Sequence, residues 1–173
     1  SCFPKDTLAL LRTAELFGSP LRIVQSTVEV NDARKRRMAD KVMEACGGSG
    51  KGKTIAVLGL TFKPNTDDMR DAPSLDIAPA LIAVGARVQA FDPEGMHEAG
   101  KLLVGVEMKE SAYDAVEGAD AVVIVTEWDR FRALDLDRVK LLMNQPVLVD
   151  LRNIYRPEDM QRHGCKYAGI GRG

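Results

Sequence analysis

Apolar and polar positions divide the chain into two regions that differ in texture. Residues 1–47 carry no convincing strand, and their apolar residues recur at helical spacing. In the first part of this region, Leu8, Leu11 and Leu16 form an apolar stripe. Proline suits the first position of a helix and glycine suits its end, so the stripe predicts a helix that starts at Pro4 and ends at Gly18.

A second predicted helix runs from about Leu21 to Ala45 and has no partner element beside it in sequence. Its apolar residues at helical spacing are Ile23, Val24, Val28, Met38, Val42 and Met43. Because a helix of this length must pack on something, we expect an interdomain or subunit interface here. The charged belt "RKRR" from Arg34 to Arg37 is interpreted as a solvated helix face, with a phosphate-binding site as the alternative.

The second region, from Thr54 onward, alternates short apolar runs with amphipathic segments, after a linker-like "GGSGKGK". The predicted strands are "TIAVLGL", "RVQAFDP", "DAVVIVTEW" and "PVLVDLRN", and the predicted helices are "APSLDIAPALIAVG" (ending at Gly85), "SAYDAVEGA" and "LDRVKLLM". Continuous apolar strands that alternate with helices indicate a parallel sheet covered on both faces. The predicted fold class is therefore α/β: a Rossmann-like, doubly wound parallel sheet over residues 54–173, preceded by an α-helical arm over residues 1–47.

Composition narrows the function classes without naming one. A net charge of −1 gives no reason to expect nucleic acid or a membrane surface as partner. No apolar run approaches the roughly 20 residues that span a bilayer, and no signal peptide is expected. Three scattered cysteines argue against a disulfide framework or a metal site and are typical of a reducing cytoplasm. His97 and His163 are expected to be ordinary surface residues.

The loop after the first predicted strand lacks the glycine pattern of dinucleotide-binding folds. The sequence "GLTFKPNTDDMRDAP" keeps Gly59 but not the second and third glycines of G-x-G-x-x-G. Asp92 follows the second strand, where those folds carry a ribose-binding acid, but without the glycines this is weak support. Lys63 and Arg70 suit an anionic ligand such as a diphosphate at the sheet's carboxyl edge, and an ordinary surface loop is the alternative.

Cys2 stands just before the predicted start of the first helix, with Lys5 close by in sequence. A helix start and a nearby cation both lower the pKa of a thiol, which favours the nucleophilic thiolate. Asp6 would lie in the first helical turn, so thiolate and carboxylate form a usable pair for attack on a carbonyl and for handling water. The alternative is an inert terminal cysteine, which is the commoner case.

Six stretches, in order, resemble one family. They are "SCFPKD", "NDARKRR", "VLGLTFKPNTDDMRDAPSL", "DAVVIVTEWDRFRALD", "DLRNIY" and "YAGIGR", and they extend over essentially the whole chain. In this order they resemble the nucleotide-sugar 6-dehydrogenase superfamily, and the UDP-glucose 6-dehydrogenases of bacterial type within it.

The resemblance implies an oxidation of UDP-glucose to UDP-glucuronate that uses two NAD⁺. It implies that Cys2 traps the C6 aldehyde as a thiohemiacetal and then carries a thioester, which water positioned by Asp6 hydrolyses. The remaining implied roles are NAD contacts for Lys5 and Arg70, and sugar-nucleotide contacts for Phe3, Phe62, Lys63 and Arg152. The sheet region would bind the UDP moiety, and the helix over residues 21–45 would form a homodimer.

The family's amino-terminal NAD-binding domain, with its glycine fingerprint, has no counterpart in this chain. We therefore expect the chain to be the carboxyl-terminal part of such an enzyme, without dehydrogenase activity of its own. One alternative is a GDP-mannose or UDP-N-acetyl-hexosamine dehydrogenase, which shares the cysteine motif. Another is a non-catalytic module that binds a nucleotide sugar or dimerises.

Overall fold

A computed structural model describes residues 2–172, and the side chains of Cys2 and Phe3 lie outside the described part. The chain begins with two helices, α1 (Cys2–Leu16) and α2 (Arg22–Ala45). These confirm the predicted helical arm. Gly18 follows α1 with a φ of +62°, a conformation that glycine adopts without steric cost.

The start of α1 differs from the prediction. The helix begins at Cys2, so Cys2 is its first residue and does not precede it. Pro4 is tolerated as the third residue because the first N–H groups of a helix have no intrahelical acceptor to lose. As a result Asp6 lies beyond the first turn, which contains no acidic residue, and the predicted first-turn position of Asp6 is wrong.

Within residues 2–172, six strands form one sheet in the order β3-β2-β1-β4-β5-β6, and every pairing is parallel. The strands are β1 (Thr54–Leu58), β2 (Arg87–Phe91), β3 (Val106–Met108), β4 (Ala121–Ile124), β5 (Val147–Asp150) and β6 (Lys166–Gly169). The helices that follow the arm are α3 (Ser74–Ala83), α4 (Met96–Leu102), α5 (Ala112–Val116), α6 (Asp129–Arg132), α7 (Leu136–Leu142) and α8 (Pro157–Arg162). This is the doubly wound order: the chain adds strands outward from β1 to β3 on one side and then from β4 to β6 on the other. The strand order therefore reverses between β1 and β4, which confirms the predicted Rossmann-like fold.

The predicted elements agree closely with the structure in the middle of the sheet. All residues of β1, β4 and β5 are buried, as continuous apolar runs predict for strands that are covered on both faces. The helix predicted to end at Gly85 ends at Ala83, and Gly85 follows it with a φ of +88°. The edge strands β3 and β6 and the helices α4, α6 and α8 were not predicted.

Two apolar clusters pack on opposite faces of the sheet. One face is covered by α3 and by the carboxyl half of α2, whose Val42 is fully buried beside Ile77 and Leu81. The other face is covered by α5, α6, α7 and α8, through Phe131 among others. The last turns of α2 therefore belong to the sheet's own core, and the Lys166 ammonium donates to the Ala45 carbonyl at 2.7 Å.

Candidate functional site

A cavity of about 540 Å³ lies where the helical arm meets the carboxyl ends of β1, β4 and β5. Its lining from the sheet side consists of Phe62, Lys63, Asp71, Pro73, Ile77, Val125, Leu151 and Arg152. From the arm it consists of Pro4, Thr7, Leu8, Thr27, Val28, Asn31, Asp32, Arg34, Lys35 and Met38. Open α/β sheets bind ligands at this edge, at the point where the strand order reverses, so the position itself indicates a binding site.

Gly59 allows β1 to run into the cavity loop directly beside β4. Its φ is +91°, and a Cβ at this position would lie 2.6 Å from the backbone nitrogen of Thr126. No other residue type fits both the backbone conformation and the space. The next residues are then fixed from β4, because the Thr126 hydroxyl donates to the Thr61 carbonyl at 2.7 Å. This geometry places Phe62 and Lys63 at the cavity.

Asp92, at the end of β2, holds the same loop from the other side. Its buried carboxylate accepts hydrogen bonds from the backbone N–H groups of Leu60 (2.7 Å) and Thr61 (3.1 Å) and from the Trp128 indole (3.1 Å). It also accepts from the Thr61 hydroxyl and from the N–H groups of Glu94 and Gly95. The carboxylate is committed to protein donors, so the suggestion that Asp92 binds a ribose is wrong.

These details decide whether the sheet itself can hold NAD. The β1 loop runs for 15 residues from Gly59 to Pro73 before α3 begins, and it lacks the second and third fingerprint glycines. Asp92, the acid that would contact the ribose, already accepts hydrogen bonds from groups of the protein itself. The sheet therefore does not fit a nicotinamide dinucleotide in the way that the G-x-G-x-x-G turn does.

Arg152 reaches the cavity from the loop that follows β5. That loop is anchored by the buried carboxylate of Asp150, which accepts from the Arg152 N–H at 3.0 Å and from the Tyr155 N–H at 2.9 Å. The Arg152 side chain donates through Nε to Glu127, with 2.5 Å between the two atoms. Burial acts to raise the pKa of Glu127, but the hydrogen bond from Arg152, a backbone hydrogen bond and the charges of Arg152 and Arg132 together exceed it, so the pKa is lowered.

Cations outnumber carboxylates around the cavity. The lining carries Arg34, Lys35, Lys63 and Arg152, against Asp32 and Asp71. Lys35 is partly neutralised by Asp32 at 3.9 Å and by Asp76 at 4.0 Å. The surplus of positive charge suits an anionic ligand.

The "RKRR" belt thus divides between two environments. Arg34 and Lys35 line the cavity, whereas Arg36 and Arg37 do not; of the four residues only Lys35 is partly buried. Sequence reasoning had favoured a solvated face for all four residues. The spacing along α2 could have distinguished them, since Arg34 and Lys35 lie three and four residues after the cavity-lining Asn31 and so share its helix face.

Several predicted site residues do not line the cavity. Arg70 is exposed and holds Asp68 with two side-chain hydrogen bonds of 2.9 Å and 2.8 Å, which keep the pKa of that carboxyl well below its usual range. Lys5 and Asp6 are exposed and lie 3.4 Å apart. The predicted roles of Cys2 and Phe3 fall on side chains outside the described part, although Pro4 and Thr7 bring the same end of α1 to the cavity.

Other site types find no support in the described residues. Among the side chains that the structure describes, those of residues 4–172, no group of three or more His, Cys, Asp or Glu could hold a metal ion. Burial raises the pKa of both Cys46 and Cys165, which disfavours the reactive thiolate at these two positions. No helix in that range combines the length and apolarity needed to cross a membrane.

Residues 56–157, which include most of this cavity's sheet side, match the UDP-glucose/GDP-mannose dehydrogenase family, UDP binding domain. The chain belongs to this family. The match confirms the resemblance seen in the sequence and identifies the sheet as the family's UDP binding domain.

Relatives in this dehydrogenase family extend the similarity over the arm. The chain is 58% identical to a UDP-glucose 6-dehydrogenase of Rhizobium meliloti over 172 residues, which are 99% of this chain and 39% of that protein. It is 45% identical to the UDP-glucose 6-dehydrogenase TuaD of Bacillus subtilis, over 99% of this chain and 37% of that protein. The chain therefore spans less than half the length of the curated relatives that it matches.

A solved structure supports the fold. The UDP-glucose dehydrogenase of the archaeon Pyrobaculum islandicum superposes on the chain with a TM-score of 0.83 and 34% identity. That superposition covers 100% of this chain and 38% of the other. Helical arm and sheet thus occur together in a dehydrogenase of the same family.

Proposed function

We propose that this chain is the UDP-sugar-binding part of an NAD-dependent UDP-glucose 6-dehydrogenase that makes UDP-glucuronate. The observation that carries the proposal is the cavity at the switch point of the sheet, where Phe62, Lys63 and Arg152 meet. Residues 62–63 and 152 are 89 positions apart in sequence, yet the ends of β1 and β5 bring them to one lining. The volume of about 540 Å³ falls within the range of small-molecule sites.

The chemistry of three lining side chains matches different parts of a nucleotide sugar. Lys63 and Arg152 supply charge-assisted hydrogen bonds to diphosphate oxygens. Phe62, partly buried against the sheet's apolar cluster, offers an aromatic surface for the flat base or the sugar. Ligand held in this way lies against the start of α1, because Pro4 and Thr7 form part of the same lining.

For the reaction itself, Cys2 is the proposed nucleophile towards the C6 carbonyl, and Asp6 is the proposed group that positions water. Cys2 is the first described residue of α1, the helix that brings Pro4 and Thr7 to the cavity. NAD would be the oxidant in the whole enzyme, with Lys5 and Arg70 as proposed contacts. Since the sheet does not fit NAD, we expect the chain by itself to produce no NADH from UDP-glucose.

The arm supports a second, structural role as a homodimer or interdomain surface. Ile23 is 84% exposed and Val30 is 61% exposed, and both lie on an open groove along α2. Sedimentation at several concentrations tests this role. Self-association that Ile23→Ser and Val30→Ser weaken would support it, and a monomer at every concentration would contradict it.

Titration calorimetry with UDP, UDP-glucose, GDP-mannose and NAD tests the main proposal. UDP and UDP-glucose are expected to bind, GDP-mannose to bind more weakly, and NAD not to bind. Lys63→Ala should weaken UDP binding by roughly 10-fold or more, as expected for the loss of a charged hydrogen bond. The matched control is Lys109→Ala, which removes a lysine paired with Glu107 outside the cavity lining. Equal affinity of UDP for both variants would contradict the proposal.

A further inference from the structure

Three consecutive residues in the loop after β4 contact three neighbouring parts of the sheet edge. The hydroxyl of Thr126 donates to the β1 loop at Thr61, and the indole of Trp128 donates to Asp92 at the end of β2. Thr126 and Trp128 are buried. Glu127 stands between them on a backbone that both neighbours fix, and its carboxylate points to Arg152 after β5.

The contact between Glu127 and Arg152 uses only one edge of the guanidinium. Glu127 accepts from Nε of Arg152, and no other described side chain or carbonyl is bonded to the terminal Nη1 or Nη2 groups. A guanidinium has five N–H donors in a fixed plane, so restraint at Nε also sets the direction of both Nη groups. Glu127 therefore orients Arg152 without occupying the donors that a diphosphate would use.

Held in this way, Arg152 also differs from Lys63 and Arg34 in available charge. Its charge is balanced by a carboxylate at 2.5 Å, whereas Lys63 and Arg34 have no carboxylate partner among the described residues within 4.0 Å. Net attraction for an anion then falls to Lys63 and Arg34, and the contribution of Arg152 is directional hydrogen bonding.

We propose that Glu127 is a positioning residue that holds the Arg152 guanidinium in the orientation that binds the ligand's diphosphate. The proposal rests on the function proposed above. Without Glu127, a flexible arginine side chain must be ordered each time the ligand binds, and that ordering reduces affinity. If Glu127 instead competed with the ligand for Arg152, its removal would strengthen binding, so the sign of the effect separates the two roles.

The test is a double-mutant cycle measured by titration of UDP into the purified chain, with Glu127→Ala, Arg152→Ala and the pair. We expect Arg152→Ala to weaken binding by roughly 10-fold or more, as for a lost charged hydrogen bond. Glu127→Ala should weaken it by about 3- to 10-fold, the range expected for ordering one long side chain. The double variant should bind no more weakly than Arg152→Ala, because Glu127 acts only through Arg152.

Two further variants separate positioning from general support of the fold. Glu127→Gln keeps an oxygen that can accept from Nε and should recover part of the lost affinity. Glu107→Ala removes the equivalent partner of Lys109, at 2.6 Å and outside the cavity, and should leave UDP binding unchanged. The urea midpoint of Glu127→Ala should match that of the unmodified chain, since a partly exposed ion pair contributes little to stability.

The outcomes distinguish this inference from the proposed function. If UDP binds and Arg152→Ala weakens it, but Glu127→Ala binds as tightly as the unmodified chain or more tightly, the inference is wrong and the function stands. Additive losses in the double variant would also overturn it. If the unmodified chain does not bind UDP, or Arg152→Ala binds normally, the site assignment itself fails, and the role of Glu127 fails with it.

Discussion

The sheet and the helical arm differ in how their side chains are buried. Around the sheet, buried polar groups are paired, and within the described residues no buried side-chain nitrogen or oxygen lacks a hydrogen-bond partner. In the arm, large apolar side chains face outward, among them Leu16 at 78% and Phe17 at 82% exposed. Single apolar side chains are exposed around the sheet as well, among them Val104 at 87% and Leu141 at 85%, but six of the ten large apolar side chains that are exposed in the described residues lie in the arm. The arm therefore presents the denser apolar surface, which suits burial against another body.

Helix α2 shows the contrast within a single element. Its carboxyl half carries Val42, fully buried in the sheet's core, while its amino half carries Val30, 61% exposed. The two halves share one hydrophobic periodicity, so sequence alone does not tell them apart. Apolar residues at helical spacing thus indicate a helix face that packs against a partner, but they do not show whether that partner lies in the same chain.

The largest expected effect in the sheet is the loss of the Asp92 carboxylate. Asp92→Ala would leave the buried N–H groups of Leu60 and Thr61 and the Trp128 indole without acceptors. At about 1–3 kcal/mol for each such group, the cost should reach about 4 kcal/mol or more, a large share of an ordinary domain's stability. Urea unfolding measures it.

The matching change in the arm is Glu29→Gln, at an exposed residue whose carboxylate accepts from the Gln25 side chain at 2.8 Å. The glutamine keeps an acceptor, so the free energy of unfolding should stay within about 0.5 kcal/mol of the unmodified value. A stable, cooperatively folded Asp92→Ala would show that the loop is held by other means.

Two glycines with left-handed backbones separate steric fit from conformational strain. Gly59 and Gly18 have φ values of +91° and +62°, but only at Gly59 would a Cβ collide with its neighbours, at 2.6 Å from Thr126. Gly18→Ala should cost about 1–2 kcal/mol for the backbone conformation. Gly59→Ala should cost about 3 kcal/mol because the collision adds to that strain.

Thermal or urea unfolding of both variants measures the two costs. Gly59→Ala should also weaken UDP binding, because Gly59 leads into the loop with Phe62 and Lys63. Equal destabilisation by the two substitutions would mean that the close approach of β1 to β4 adds nothing.

Truncating Val42 and Val30, one in each half of α2, tests the contrast within the helix directly. Val42→Ala removes two methyl groups from a closed core and should cost about 2 kcal/mol. Val30→Ala should change the free energy of unfolding by less than about 0.5 kcal/mol in the monomer, since alanine is the better helix former and little burial is lost. Unfolding at low protein concentration checks both, and similar costs would show that the amino half of α2 is covered within the chain.

The smallest effect concerns alkaline pH and is expected only in the sheet. Burial, followed by the nearby Asp150 carboxylate, raises the pKa of Tyr155 and Tyr167 well above 10. The stability that these neutral tyrosines contribute is fully present below pH 10, where the unfolded tyrosine ionises, and it falls as pH rises from there towards the folded pKa. We expect a loss of about 1–2 kcal/mol between pH 9.5 and about 11, as unfolded tyrosines ionise.

Urea unfolding across this range checks the effect, with Tyr155→Phe and Tyr167→Phe as variants that should flatten the pH dependence. Neither variant should change the self-association of the arm. A pH dependence that persists in the doubly substituted chain would assign it to other groups.

The central fold was predictable from sequence because its physical signals are local. Runs such as "DAVVIV" indicate buried parallel strands, and Gly85 indicates a helix end. The edge strands gave no such signal: "VEM" of β3 and "KYAG" of β6 are short and only partly buried. They form because an open edge of the sheet offers hydrogen bonds, which no pattern in their own residues reveals.

The candidate site was predictable in part for the same reason. The loop with Phe62 and Lys63 follows the first predicted strand, so the switch-point rule placed it at the carboxyl edge of the sheet. Arg152 was proposed only through the family resemblance. Glu127 and Arg34 were missed, because their places depend on which loop and which helix face meet in space. Asp92 was predicted at the right edge, but its role as an acceptor depends on donors from residues up to 36 positions away.

The central claim is that UDP binds in the cavity at the sheet's carboxyl edge and not on the open groove of the arm. Amide chemical-shift mapping during a titration with UDP tests it most directly. UDP bound in the cavity should shift the amide signals of residues 59–63, 125–127 and 151–153 and leave those of Ile23 and Val30 unchanged. Shifts concentrated at Arg22, Ile23, Ser26 and Val30, which line the open groove but not the cavity, or none anywhere at millimolar UDP, would contradict it.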